Sequence, residues 1–163
     1  MNIILAGMPG CGKTTVAEVF EKRGATVLDT DALIVARYGQ INSIFAEHGE
    51  EYFRNAETQA VKEVCGLDGV VIATGGGCLL RSENVRLLKT NGKIVYLKTG
   101  VETLLKRVEG NTDRPLLAGQ TRARLEKLLS ERRSVYESAA DITVETDGLT
   151  PQAVADKITE SLK

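Results

Sequence analysis

Apolar residues in this chain arrive in short runs of strand length, separated by stretches whose apolar positions recur every three or four residues. Ile3, Ile4 and Leu5 form the centre of the first run, Asn2 to Ala6. Further β-rich runs cover Thr26 to Leu28, Val70 to Ala73, Lys93 to Leu97 and Ile142 to Val144. Between them the pattern turns helical, over Thr15 to Glu21 and over Ala32 to Tyr38. A longer helix over Gly49 to Cys65 puts Phe53, Ala56, Ala60 and Val64 on one stripe, and another over Arg122 to Tyr136 does the same with Leu125, Leu128, Leu129 and Tyr136. The last helix has both start signals, Thr150 as N-cap and Pro151 in the first turn, with Val154, Ile158 and Leu162 following at four-residue spacing. Strands alternating with helices imply right-handed crossovers, hence a doubly wound α/β fold with a mostly parallel sheet covered on both faces. The stretch Gly110 to Thr121 keeps no period and holds two glycines and a proline. Its length suits a functional loop such as a lid, with an ordinary long crossover as the alternative.

Composition narrows the class. With 163 residues and 42% hydrophobic content, the chain is long enough for one domain over 1–163 and too short for two ordinary ones. A net charge of −1 and a pI near 5.9 supply no global basic field, so neither nucleic acid nor an anionic membrane is an expected partner. No apolar stretch approaches the roughly 20 residues of a membrane span, and the N-terminal run is too short for a signal peptide, so a cytoplasmic protein is expected. Cys11, Cys65 and Cys78 are odd in number and lack CxxC spacing, which argues for free thiols rather than disulfides or zinc. His48, the single histidine, is expected on a solvated turn before Gly49.

The chemistry begins at the residue that follows the first strand. Gly7-Met8-Pro9-Gly10-Cys11-Gly12-Lys13-Thr14 fits G-x-x-x-x-G-K-[ST] at every fixed position, between a strand and a helix as a phosphate cradle requires. Its glycines let backbone N–H groups turn toward anionic oxygens, Lys13 adds an ammonium, and Thr14 offers a hydroxyl to a magnesium ion. Ligands of open parallel sheets sit beyond the carboxyl ends of the strands. At the end of the second strand stand Asp29 and Asp31, whose spacing would point both carboxylates the same way along an extended segment. The two would equally serve as an N-cap pair for the next helix, a role that suits Asp31 well. The third strand ends in Thr74-Gly75-Gly76-Gly77 with no acid, which leaves Asp29 as the candidate partner of the metal. Three glycines strip every side chain from that wall and favour a flat ligand against backbone over a merely flexible turn.

Two arginines complete the set. Glu57 falls inside the apolar stripe of its helix with Arg54 at i−3; a buried acid needs a partner, and a fixed guanidinium is a carboxylate or phosphate receptor, although a surface ion pair is the alternative. Arg132 lies near the centre of its stripe and Arg133 toward the edge, so Arg132 should face inward to an anionic ligand or an internal acid.

Taken together, these residues resemble the shikimate kinases, small P-loop kinases. The resemblance runs through GMPGCGKTT (7–15), LDTD (28–31), IFAEHGEEYFR (44–54), ATGGG (73–77), VYL (95–97), NTDRPLL (111–117) and ERRSVY (131–136), in family order and spacing. It implies a five-stranded parallel sheet of order 2-3-1-4-5, a lid near 110–121 and a substrate-binding helical region near 30–65. It implies ATP and Mg2+ as cofactors, and transfer of the γ-phosphoryl group of ATP to the 3-hydroxyl of shikimate. Gly10, Cys11, Gly12, Lys13, Thr14 and Thr15 match the nucleotide cradle, Thr14 and Asp29 the metal ligands, and Arg107 the arginine near adenine. Asp31 matches the residue that binds and deprotonates the acceptor hydroxyl, and Arg114 the arginine that reaches the transferring phosphate. Arg54 and Arg132 match the clamp on the shikimate carboxylate, Gly75, Gly76 and Gly77 its backbone wall, and Phe45 and Phe53 its apolar contacts. The family's usual proline after the second substrate arginine is replaced in Arg132-Arg133-Ser134-Val135-Tyr136, and Pro9 and Cys11 depart from the common phosphate loop. A gluconate-type kinase and a non-catalytic binding protein are the competing readings. A monomer is expected, since no long exposed apolar helix stripe calls for a partner.

Overall fold

The computed structural model describes residues 1–109 and 121–163. The expected lid and Arg114 therefore lie outside the described residues, apart from Thr121. Five strands, β1 (Asn2–Ala6), β2 (Val27–Asp29), β3 (Val71–Ala73), β4 (Gly92–Lys98) and β5 (Ile142–Glu145), form one sheet of order β2-β3-β1-β4-β5. Every pairing is parallel, with Ile4 opposite Ile72 on one side and Ile94 on the other. Consecutive residues of β1, β3 and β4 are buried, and because neighbours in a strand point to opposite faces, both faces of the sheet are covered.

Seven helices surround the sheet among the described residues: α1 (Lys13–Lys22), α2 (Thr30–Tyr38), α3 (Ile41–Val64), α4 (Ser82–Thr90), α5 (Val101–Glu109), α6 (Thr121–Ala139) and α7 (Pro151–Ser161). α7 starts as its sequence predicts, with Thr150 Oγ1 accepting from Ala153 N at 3.1 Å. α3 does not: it begins eight residues before Gly49 and runs through it, and Gly49 itself leaves helical geometry at φ 82°, ψ 175°. The signal at Gly49 marks a kink between two helical segments. His48 ends the first segment, exposed, and stacks on Tyr52 with ring centroids 4.3 Å apart, rather than sitting in a turn.

Two apolar clusters result. The main core joins the sheet to α1, α4, α6 and α7 through residues such as Leu5, Ile72, Ile94, Leu129 and Ile158. A smaller one, Ile34, Ile44, Phe53, Ala56 and Ala60, holds α2 against α3. α3 spans both, since its last turns contribute Val61 and Val64 to the main core.

Candidate active site

The carboxyl ends of β1, β2, β3 and β5 open on a cleft of about 930 Å3. On its floor lies the phosphate loop. Gly7, Gly10 and Gly12 take φ values of 149°, 85° and 101°, which side-chain-bearing residues rarely adopt. A Cβ on Gly7 would also stand 2.8 Å from Cys11 Sγ and 2.9 Å from the Leu97 carbonyl oxygen. Cys11 is thus an inward-facing filler, buried behind the loop. Lys13 Nζ donates to the carbonyls of Gly7 at 2.7 Å and Met8 at 3.2 Å, which places the ammonium across the mouth of the cradle. Thr14 and Thr15 are exposed on the cleft. Arg107, on α5, donates to the Gly10 carbonyl at 2.9 Å and lines the same wall.

Asp29 and Asp31 both line the cleft, but not as an extended pair. Asp29 ends β2 and is itself the N-cap of α2, with Oδ1 accepting from Ala32 N at 3.1 Å; Asp31 lies in the first helical turn. The alternative reading of the two acids as an N-cap pair thus holds for Asp29, not for Asp31. Chain direction changes sharply at Thr30, whose Oγ1 accepts from Gly75 N at 3.1 Å and ties the turn to the end of β3. A carboxylate with one backbone donor keeps acceptor capacity, so Asp29 and Thr14, lining the same cleft, fit the donor set of a phosphate-bound magnesium, which takes few protein ligands and keeps several waters.

The three glycines bring the charged groups together. A Cβ on Gly75 would stand 2.6 Å from Asp31 Oδ1 and 3.1 Å from Glu57 Oε2; one on Gly76, 3.1 Å from Arg132 Nη1; one on Gly77, 2.5 Å from Arg54 Nη1. The glycines therefore make room for side chains that approach from three helices, α2, α3 and α6. Arg54, only 12% exposed, pairs with Glu57 Oε1 at 3.0 Å and Glu50 at 3.5 Å, with its Cζ 5.3 Å from the centre of the Phe53 ring. Burial pushes the Glu57 carboxyl up from its ordinary value, and Arg54 pulls it back toward ionisation. Its Oε2 is buried with no hydrogen-bond partner among the described residues.

Of the remaining expectations, Arg132 is partly buried and lines the cleft while Arg133 is exposed, as the stripe argument required. Arg54, Gly77, Phe45 and Phe53 do not line the cleft themselves, though Gly77 follows the lining Gly76 and Arg54 packs against Gly77. Phe45 packs on Phe53 with ring centroids 4.8 Å apart and is 37% exposed.

Several contacts and residues around the cleft escaped the sequence reading. Tyr136 donates to the Gly76 carbonyl at 2.6 Å and stacks on Tyr96 at 5.1 Å; its pKa is pushed up to about 12, chiefly by burial, with Arg132 opposing. Nothing in a leucine-rich stripe marks one tyrosine hydroxyl as a tether. Thr146, Leu149 and Pro151 line the same cleft as Arg107, and inspecting the end of the fifth strand would have found Thr146.

Comparison with known proteins gives the family. A family model described as shikimate kinase matches residues 9–163. The chain is 44% identical over 164 residues to a shikimate kinase of Moorella thermoacetica, covering 99% of this chain and 94% of that protein. It is 41% identical over 160 residues to one of Caldicellulosiruptor bescii, covering 96% and 92%. The structure superposes on a shikimate kinase from Acinetobacter baumannii in complex with shikimate with a TM-score of 0.91 at 37% identity, covering 99% of this chain and 92% of that one.

Proposed function

The chain belongs to the shikimate kinase family, and on that premise we propose how its cleft divides between ATP and shikimate. The observation that carries the division is the meeting of Asp31, Arg54 and Arg132 at Gly75–Gly77, beside the phosphate loop, whose Pro9 ring would stand 3.1 Å from a Cβ on Gly76. Two guanidiniums beside a side-chain-free wall suit a flat acceptor with a carboxylate. The phosphate loop suits the polyphosphate, and Arg107 and Pro151 suit the base.

Lys13 would hold the β- and γ-phosphoryl oxygens. Thr14 directly and Asp29 through water would hold Mg2+, which when bound spreads charge over the β- and γ-oxygens. Arg54 and Arg132 grip the shikimate carboxylate and so present the 3-hydroxyl to Asp31. As the hydroxyl oxygen bonds to the γ-phosphorus, the bond from that phosphorus to the β-bridging oxygen breaks. The hydroxyl proton passes to Asp31, and ADP and shikimate 3-phosphate remain. Arg114, outside the described residues, is assigned by its Asp-Arg-Pro-Leu-Leu motif to the transferring phosphate. Three free thiols support a cytoplasmic setting, and we assign a monomer, testable by light scattering.

ADP release measured with Mg-ATP and a panel of hydroxy acids tests the reading. Turnover is expected with shikimate alone. Release with another acceptor instead would sink the acceptor assignment, and silence with every acceptor would sink the enzymatic one. Arg114→Ala should lower kcat about 10³-fold with a small effect on shikimate Km, and an unchanged kcat removes Arg114 from the reaction.

A further inference from the structure

Arg81 stands where the two apolar cores meet. It follows the 3-10 turn Cys78–Leu80, whose Cys78 and Leu79 belong to the main core. Its guanidinium reaches back to α3: Nη1 donates to Asn55 Oδ1 at 2.9 Å and Thr58 Oγ1 at 3.3 Å, and Nη2 to Glu51 Oε1 at 3.0 Å. Positions 51, 55 and 58 lie along one helix face, in the stretch of α3 whose Phe53, Ala56 and Ala60 form the small core. Asn55 adjoins Arg54, and Thr58 adjoins Glu57. One side chain therefore spans the gap between the glycine wall and the helix that carries the acceptor's guanidinium.

The width of that gap matters because Gly77 leaves less than a methyl group's clearance for Arg54. We propose that Arg81 is a positioning residue for the acceptor: by fixing the spacing between Gly77 and α3 it holds the Arg54 guanidinium where the shikimate carboxylate meets it. This rests on the acceptor assignment above. A purely structural clip would be a weak one, since Arg81 is 26% exposed and its Glu51 partner 84%. Small displacements of a binding group, by contrast, act strongly on affinity.

Arg81→Met keeps the aliphatic stem and removes the donors. It should raise the shikimate Km, and the shikimate Kd by calorimetry, roughly ten-fold while ATP Km and kcat stay within about two-fold. Arg81→Lys, still able to reach one acceptor, should recover part of the loss. An unchanged shikimate Km overturns the proposal, as does an equal rise of both Km values accompanied by a lower melting temperature. If Arg81→Met does not fold, Asn55→Ala carries the test: a smaller rise confined to shikimate supports the role, and no rise rejects it. Absence of shikimate-dependent ADP release from the unmodified protein would instead sink the acceptor assignment, and this proposal with it.

Discussion

Gly77 has backbone angles any residue adopts, φ −98° and ψ 5°, so only space excludes a side chain there. Alanine would press a methyl group into the Arg54 guanidinium, and Gly77→Ala should raise the shikimate Km about ten-fold with kcat nearly kept. Gly75→Ala strikes Asp31 instead and should lower kcat; steady-state kinetics on the pair separates gripping from proton transfer. The triple glycine was legible in the sequence as a ligand wall, but its crowding by three charged side chains was not, because those side chains come from distant helices. Tyr136 carries a different prediction. Its folded pKa of about 12 lies above the ordinary 10.0, so the stability it confers is complete below pH 10 and drains as pH rises through 12. Tyr136→Phe should flatten that alkaline loss in chemical denaturation and cost about 1–2 kcal/mol at neutral pH, since the Gly76 carbonyl loses its donor. Glu57 shares the sign: its raised pKa means stability is fullest below the ordinary 4.5 and declines above it, and Glu57→Gln should remove that slope.

At the scale of elements, α2 owes its start to Asp29. Asp29→Asn keeps the cap but removes the charge proposed to serve magnesium, so its melting temperature should match the unmodified protein while half-maximal activity needs more Mg2+. Asp29→Ala should lose both, with about 1 kcal/mol of stability gone; equal magnesium requirements in all three would remove Asp29 from the metal site. The sequence pattern placed all five strands within a residue or two but misjudged α3, since the periodicity of Phe53, Ala56, Ala60 and Val64 is clear only beyond Gly49. Residues 41–48 present fewer apolar positions because they cover only the small core. Gly49→Ala meets no neighbouring atom within 4 Å, so its cost is the positive φ alone, about 1–2 kcal/mol by thermal unfolding.

In the whole molecule, the acceptor's groups are spread over elements from both cores, so bound shikimate should tie the cores together. At 100 times its Kd shikimate should add about 2.7 kcal/mol of stability, and Arg54→Ala should abolish the gain at the same concentration; an undiminished shift in that variant would place the acceptor elsewhere. What the sequence determined by itself is local. The phosphate loop, the strand and helix periods and the Arg54–Glu57 pairing depend on neighbours within a turn or two, and short-range geometry is written in spacing. Strand order reached the sequence reading only through family resemblance, because apolar runs state that strands exist without stating which pair. Tertiary structure alone decided that Asp29 rather than Asp31 caps α2, that Tyr136 tethers Gly76, and that Arg81 bridges to α3. Each of these turns on where a backbone bends or how closely two elements pack, and packing distances between remote segments leave no periodic trace in the chain.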